Sequence, residues 1–371
     1  MAHTVAFQPN WVSPPGETVQ ELLQRSNVEA SDVLRHANLT SNQLRKLFSG
    51  SLAIDAILAK RLGELFGASE EYWLNREAQY RADIRHIQIS ETSDEAKSWL
   101  AQLPVADMAK FGWVLQGRTV AERTHNALDF FGVESIQAWK FRYQRSLAVA
   151  AFRSTSAFET NPASVTAWLR QAQRLADEQA CEPWNPDKLR SKLLTIRKLT
   201  RQKSPSKFLP FLTKVFSDCG VAFVVVRSPK GCRASGATQF LDAQTAMLAV
   251  SFRYLADDQF WFTLFHEIGH LLLHGQDVLF LEDGSDVTEV EETEANNFAA
   301  NALIPERLNS LLYEVRLQSK SIIRLAGRLG VSPGVLVGQM QNRGILPPHR
   351  LNSLKRRYNW EEISRFSSVS L

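Results

Sequence analysis

The stretch Phe260–Gly275, FWFTLFHEIGHLLLHG, places two histidines four residues apart with a glutamate directly after the first. In an α-helix, positions i and i+4 lie about 40° apart around the axis and about 6 Å apart along it. His266 and His270 can therefore aim both imidazoles at one ion, and zinc takes such nitrogens at about 2.0–2.1 Å. Glu267 stands where it can reach a water molecule at that ion, the combination used for metal-assisted hydrolysis with a carboxylate as general base. The competing reading of the same letters is a buried apolar helix in which HExxH arises by chance. A third ligand decides between the two.

One known solution continues the motif with a glycine and a third histidine at fixed spacing, but those positions hold Leu273 and Gln276. His274 lies two helical turns, about 12 Å, along the axis from His266 and is set aside as a ligand. The remaining source is EETEANNFAANALIP, Glu291–Pro305, a helical pattern ended by its proline. Glu292 and Asn296 share one face of that helix. Ala295, Ala299 and Leu303 continue it, and the small alanines permit close approach to the histidine helix. Glu294 is turned about 200° from Glu292, so the two cannot both point inward. Glu292 is therefore read as the third ligand, and Asn296 as the acceptor for the far nitrogen of a ligand histidine. Two histidines and one glutamate leave a fourth position open, the form of a catalytic rather than a structural zinc. The expected cofactor is Zn2+, with Mn2+ as the alternative.

These residues carry a resemblance. HEIGHLLLH followed by EETEANNFAANALIP resembles the ImmA/IrrE metallopeptidases, in which a helix after HExxH bears Glu, then Ala, Asn or Asp, and Phe-Ala at set spacing, and ends in an apolar-Pro step. Glu292, Ala295, Asn296, Phe298 and Ala299 fill the first set, and Leu303, Ile304 and Pro305 the second. The similarity runs over roughly 205–345 and takes in the lead-in GATQFL and LAVSFRYLADDQF. It implies zinc on His266, His270 and Glu292, with Glu267 as the base. It also implies a protein substrate, since members of the family cleave helix-turn-helix repressors and so switch on stress or mobile-element genes. Upstream, VAFVVV suits a buried strand, and GATQFL and MLAVSF suit a hairpin. Asp257-Asp258 offers an N-cap for the histidine helix. A strand beside that helix can pair with an extended substrate, and Tyr254, Tyr313 and His349 are the candidates for an oxyanion donor.

A different signal opens the chain. ASDVLRHANLTSNQLRKLFSG, residues 30–50, has the length and apolar spacing of a helix-turn-helix. Val33, Leu34 and Ala37, then Leu39, then Leu44, Leu47 and Phe48 form its inner side. Thr40 with Gln43 makes a capping box. The outer face presents Ser41, Asn42, Gln43, Arg45 and Lys46, side chains able to reach base edges or phosphates of double-stranded DNA. With IDAILAKRLGELFGASEEYWLN following, residues 15–85 resemble HigA-type antitoxins of the Cro/repressor class. Leu34 and Asn38 depart from that class, which has a small residue and a glycine there. Residues 1–85 hold 9 basic and 10 acidic side chains, so no basic excess drives non-specific binding. A second helix-turn-helix pattern, IIRLAGRLGVSPGVLVGQM at 322–340, contains Pro333, Gly334 and Gly338, which make a poor groove-reading helix, and it is read mainly as scaffold.

The fold class expected is α+β and mostly helical. Four segments are read: a HigA-like helix-turn-helix bundle at 1–88, a helical middle at 89–205, a zincin-like peptidase core at 206–310 with a small antiparallel sheet and the HExxH helix, and a helical HTH-like region with a basic tail at 311–371. The three cysteines make no CxxC pair, and the start lacks a basic stretch leading into an apolar run. A reduced, cytoplasmic setting without a membrane partner follows as the expectation. The function expected is a regulatory zinc endopeptidase acting on a repressor or antitoxin, with DNA and a second copy of the chain as further partners. The competing class is a non-proteolytic DNA-binding repressor whose metal is structural or sensory.

Overall fold

The computed structural model describes residues 13–26, 28–90, 93–143, 161–274 and 289–367. Two compact units divide the chain, Met1–Ala148 and Val149–Leu371. These units cut across the four segments read from sequence, because 89–148 falls with the first unit and 149–205 with the second.

In the first unit, α1 (Pro15–Arg25), α2 (Ala30–Ala37), α3 (Ser41–Phe48), α4 (Ala56–Phe66) and α5 (Glu70–Ser90) close around Val19, Val33, Leu47, Leu62 and Trp73. Two local devices set the α2–α3 turn. Asn38 adopts the left-handed conformation, φ 52° and ψ 49°, which Asn tolerates better than most residues. Thr40 and Gln43 then close a capping box: the Gln43 amide donates to Thr40 Oγ1 at 3.2 Å, and the Thr40 amide donates to Gln43 Oε1 at 2.8 Å. Leu34 is only half-buried and packs at the margin of this core, so its bulk is absorbed there. The helices α6 (Ser93–Gln102), α7 (Val105–Lys110) and α8 (Val120–Phe131) follow, with Trp99, Phe131 and Trp139 meeting edge-on or tilted in a local aromatic core.

The second unit is built on a three-stranded sheet of order β1-β3-β2, with β1 at Val221–Val225, β2 at Gly236–Asp242 and β3 at Thr245–Val250. The expected hairpin is β2–β3, but the sheet is mixed rather than antiparallel. β3 inserts between the other two strands and runs parallel to β1, pairing Val221 with Ala246 and Val225 with Val250. The reason lies in burial. All five β1 residues are buried on both faces, the condition under which parallel pairing is found. Three helices precede or support the sheet: α9 (Pro162–Asp177), α10 (Pro186–Leu199) and α11 (Pro205–Ser217). Leu189 and Ile196 of α10 and Phe208 and Phe216 of α11 enter the same core as the sheet.

The histidine stretch forms α12 (Asp257–Leu273), and the glutamate stretch forms α13 (Glu289–Leu303). Asp257 does not cap α12 as expected. Ala256 occupies the N-cap, and Asp257 is buried in the first turn. Its carboxylate accepts from Ser332 Oγ at 2.8 Å and from the Arg356 amide at 3.0 Å. The later helices are α14 (Ser310–Glu314), α15 (Ser319–Leu329), α16 (Pro333–Asn342) and α17 (Trp360–Ser367). In α16, Val335, Leu336, Val337 and Met340 are buried, so this helix is a strut against α12. Its glycines explain the contact: a Cβ at Gly334 would collide with Asp257 Oδ1, and one at Gly338 would sit 2.7 Å from Asp258 Cβ. The basic tail also makes contacts within the chain. Lys355 pairs with Asp258 at 2.6 Å, and Arg356 donates to the carbonyls of Thr200 and Gln202 at 2.9 and 2.8 Å. Among the described residues no helix is long and apolar enough to cross a membrane.

Candidate metal centre

Small residues bring α12 and α13 together. Ala295, Ala299 and Leu303 are fully buried along one side of α13. Opposite them stands Gly269, where a Cβ would lie 3.2 Å from Ala295 Cα and 3.2 Å from Phe298. Alanine on one helix and glycine on the other let the backbones approach. The neighbouring side chains at 266, 270 and 292 then meet.

They meet as a triangle. His266 Nε2 lies 2.9 Å from His270 Nε2, and Glu292 Oε2 and Oε1 lie 3.5 and 3.6 Å from His266 Nε2 and His270 Nε2 respectively. Tetrahedral bonds of 2.0–2.1 Å place ligand atoms about 3.3 Å apart, and these three edges bracket that length. The group fits one divalent ion in atom type and spacing. The rings are 9% and 5% exposed and the carboxylate 33%, so the site is reached from the Glu292 side.

The electrostatics suit ligation. Burial pushes the His270 imidazolium down to about 3, helped by His266 and His274 beside it. Burial also holds His266 below its ordinary value, opposed by Glu292 and by the hydrogen bond with Asn296. Both rings are neutral at pH 7, the form that donates a lone pair. His266 Nδ1 lies 3.1 Å from Asn296 Oδ1, so with Nε2 turned to the ion its Nδ1–H donates to the amide oxygen.

Glu267 is 1% exposed. Its carboxylate lies against the start of β2, where a Cβ on Gly236 would come 2.5 Å from Glu267 Oε1 and 2.7 Å from Thr263 Cγ2. Gly236 is thus the residue that lets the outer strand approach the glutamate, a role not evident from the letters GATQFL. A small cleft beside the first turns of α12 is lined by Gln259 and Thr263 together with Ser235, Phe252 and Tyr254. Tyr254, Tyr313 and His349 are all exposed, and Tyr254 lines this cleft.

Two further residues escape a reading by spacing. His274 follows the last turn of α12, and its ring folds back so that its Nδ1 lies 3.0 Å from His270 Nδ1. Its Nε2 lies 3.2 Å from Glu294 Oε2. The 200° between Glu292 and Glu294 sends the first carboxylate to the triangle and the second to His274. The signal is present in HEIGHLLLH, since His270 and His274 repeat the i, i+4 relation.

The surface features are placed differently. On α3, Gln43 and Lys46 are exposed, while Ser41 and Arg45 are half-buried. Gln43 turns its carbonyl oxygen back to Thr40, so the capping role occupies part of the side chain proposed to face DNA. The Asn42 side chain and Gln276 lie outside the described residues.

A helix with two neutral histidines, a second helix delivering a carboxylate, and a small sheet behind them define a metallohydrolase-type centre. A family model described as the IrrE N-terminal-like domain, Peptidase_M78, matches residues 224–339, from within β1 to within α16. The match supports a metallopeptidase-type function for this segment. No curated protein and no solved structure matches the chain.

Proposed function

We propose that the second unit is a zinc-dependent endopeptidase and that the first unit binds double-stranded DNA, together forming a regulator that cleaves a repressor or antitoxin protein. The observation that carries the catalytic half is the convergence of the buried His266 Nε2 and His270 Nε2, 2.9 Å apart, with the half-buried Glu292 carboxylate, whose Oε2 and Oε1 lie 3.5 and 3.6 Å from them respectively. A divalent ion held there supplies Lewis-acid polarisation of the scissile carbonyl and acidifies water. Glu267 accepts the proton of the attacking water and delivers it to the leaving amine as the C–N bond breaks. β2, the outer strand beside Glu267, pairs with an extended substrate and aligns its peptide bond along α12. Asn296 holds the His266 ring in place. On the first unit, Ser41, Asn42, Gln43, Arg45 and Lys46 of α3 form the DNA-facing set, and a homodimer would present two such helices to one operator.

The test pairs the two halves. Full-length protein is incubated with Zn2+ or Mn2+ and with candidate repressors and antitoxins, beside Glu267→Gln. Cleavage is expected to fall about 100- to 10,000-fold in the variant. Equal cleavage by both proteins would remove Glu267 from the mechanism. A mobility-shift titration with Arg45→Ala and Lys46→Ala is expected to weaken DNA binding and to reduce its salt dependence by about one unit of slope for each phosphate no longer neutralised. Unchanged binding would remove α3 as the reading helix.

A further inference from the structure

We propose that His274 and Glu294 are positioning residues for the metal centre, forming a directed hydrogen-bond relay that fixes the orientation and raises the donor strength of His270. The inference rests on the metal-site reading above and adds residues to it.

Proton counting determines the direction of the relay. His270 presents Nε2 to the triangle, 2.9 Å from His266 Nε2 and 3.6 Å from Glu292 Oε1. A ring that ligates through Nε2 carries its proton on Nδ1. That Nδ1 lies 3.0 Å from His274 Nδ1. Two protonated nitrogens cannot share this contact, so His274 Nδ1 is the bare acceptor and its proton resides on Nε2. His274 Nε2 lies 3.2 Å from Glu294 Oε2, an acceptor. Each donor thus meets one acceptor: His270 Nδ1–H to His274, and His274 Nε2–H to the Glu294 carboxylate.

Burial gives the relay its purpose. The His274 side chain is 4% exposed, while Glu294 is 55% exposed. The carboxylate stays hydrated at the surface and His274 carries its influence inward to His270, without burying a third charge beside Glu292. The backbone makes this possible. α12 ends at Leu273, and His274 turns to φ −109° and ψ 148°, which frees its ring to fold beneath His270 one turn earlier. The two ligand histidines are therefore held differently. His266 donates to the neutral amide oxygen of Asn296, whereas His270 donates to an imidazole backed by a carboxylate. Partners of this kind typically contribute about 10- to 100-fold in metal affinity.

The experiment measures Zn2+ affinity of the full chain by competition with a chromophoric chelator, and the visible absorption of the Co2+-substituted protein. His274→Ala is expected to bind Zn2+ about 10- to 100-fold more weakly, with a shifted Co2+ spectrum. His274→Asn places an acceptor oxygen near the lost Nδ1 and recovers part of the affinity, and Glu294→Gln, which keeps an acceptor for His274 but loses the charge, is expected to bind Zn2+ more weakly than wild type and more tightly than His274→Ala. Wild-type affinity and an unchanged Co2+ spectrum in His274→Ala would overturn the relay while leaving the triangle standing. If the wild-type chain takes up no Zn2+, the metal-site reading fails and the relay with it. Should His274→Ala not fold, the decision passes to His274→Asn and Glu294→Gln, and unchanged spectra in both would overturn the proposal.

Discussion

The pairs α12–α13 and α2–α3 both place polar side chains on packed helices, but they turn them in opposite directions. Around α12, His266, Glu267 and His270 are buried, and the two histidines meet Glu292 and Asn296 at defined distances. On α3, Gln43 and Lys46 lie at the surface and Ser41 and Arg45 are half-buried, and Gln43 already has a task in capping its own helix. Burying three ionisable groups opposes folding unless they are paired or hold an ion. A polar outer face opposes nothing, since solvated faces are the ordinary condition of surface helices. A buried polar constellation therefore calls for a function, whereas an exposed one merely permits it.

That contrast can be broken at its structural root. Gly269→Leu forces a side chain into the α12–α13 contact, where Ala295 and Phe298 already stand within 3.2 Å of a single added carbon. Overpacking of this kind costs about 1–3 kcal/mol, and separation of the helices would also weaken metal binding. Chemical denaturation and metal titration check both, and a variant with wild-type affinity would show that the close approach is not what assembles the triangle.

The first unit offers a smaller and separable effect. Thr40→Ala removes the cap of α3 and is expected to destabilise that unit by about 1 kcal/mol, with metal affinity unchanged. Thermal unfolding followed at each unit sharpens the comparison. A change in metal binding would mean that the two regions are coupled.

The smallest effect concerns pH. Burial holds the Asp257 carboxyl above its ordinary value, offset in part by its bonds to Ser332 and Arg356. The folded state therefore binds this proton more tightly than the unfolded state does. Stability contributed by Asp257 is present below the unfolded value of about 3.9 and is lost as pH rises through the folded value. Asp257→Asn removes this titration, so the stability of wild type relative to the variant should fall as pH rises above the unfolded value of about 3.9. A difference independent of pH would contradict the assignment.

Legibility follows the same division. The metal triangle is readable because helical spacing is rigid. Four residues fix the two imidazoles on one face, and Glu292, Asn296, Ala295 and Ala299 share another. The sheet is less legible. The hairpin is local and signalled by its turn, but the pairing of β1 with β3 joins segments about 25 residues apart and no local spacing specifies it. Distance along the axis to His266 sets His274 aside as a ligand, whereas its partner is His270, one turn closer. Asp257 has the residue type of a cap, yet tertiary packing against Gly334 and Ser332 claims it. Gly236 and Gly269 are silent in the sequence, because a missing side chain has meaning only once its neighbour is known.

The central claim is that His266, His270 and Glu292 hold a single divalent ion, and metal stoichiometry tests it most directly. Full-length wild-type protein, dialysed against Zn2+ and then freed of loose metal, should retain one equivalent, and Glu292→Ala should lose most of it while remaining folded. Equal retention by the two proteins, or none by the wild type, would contradict the account.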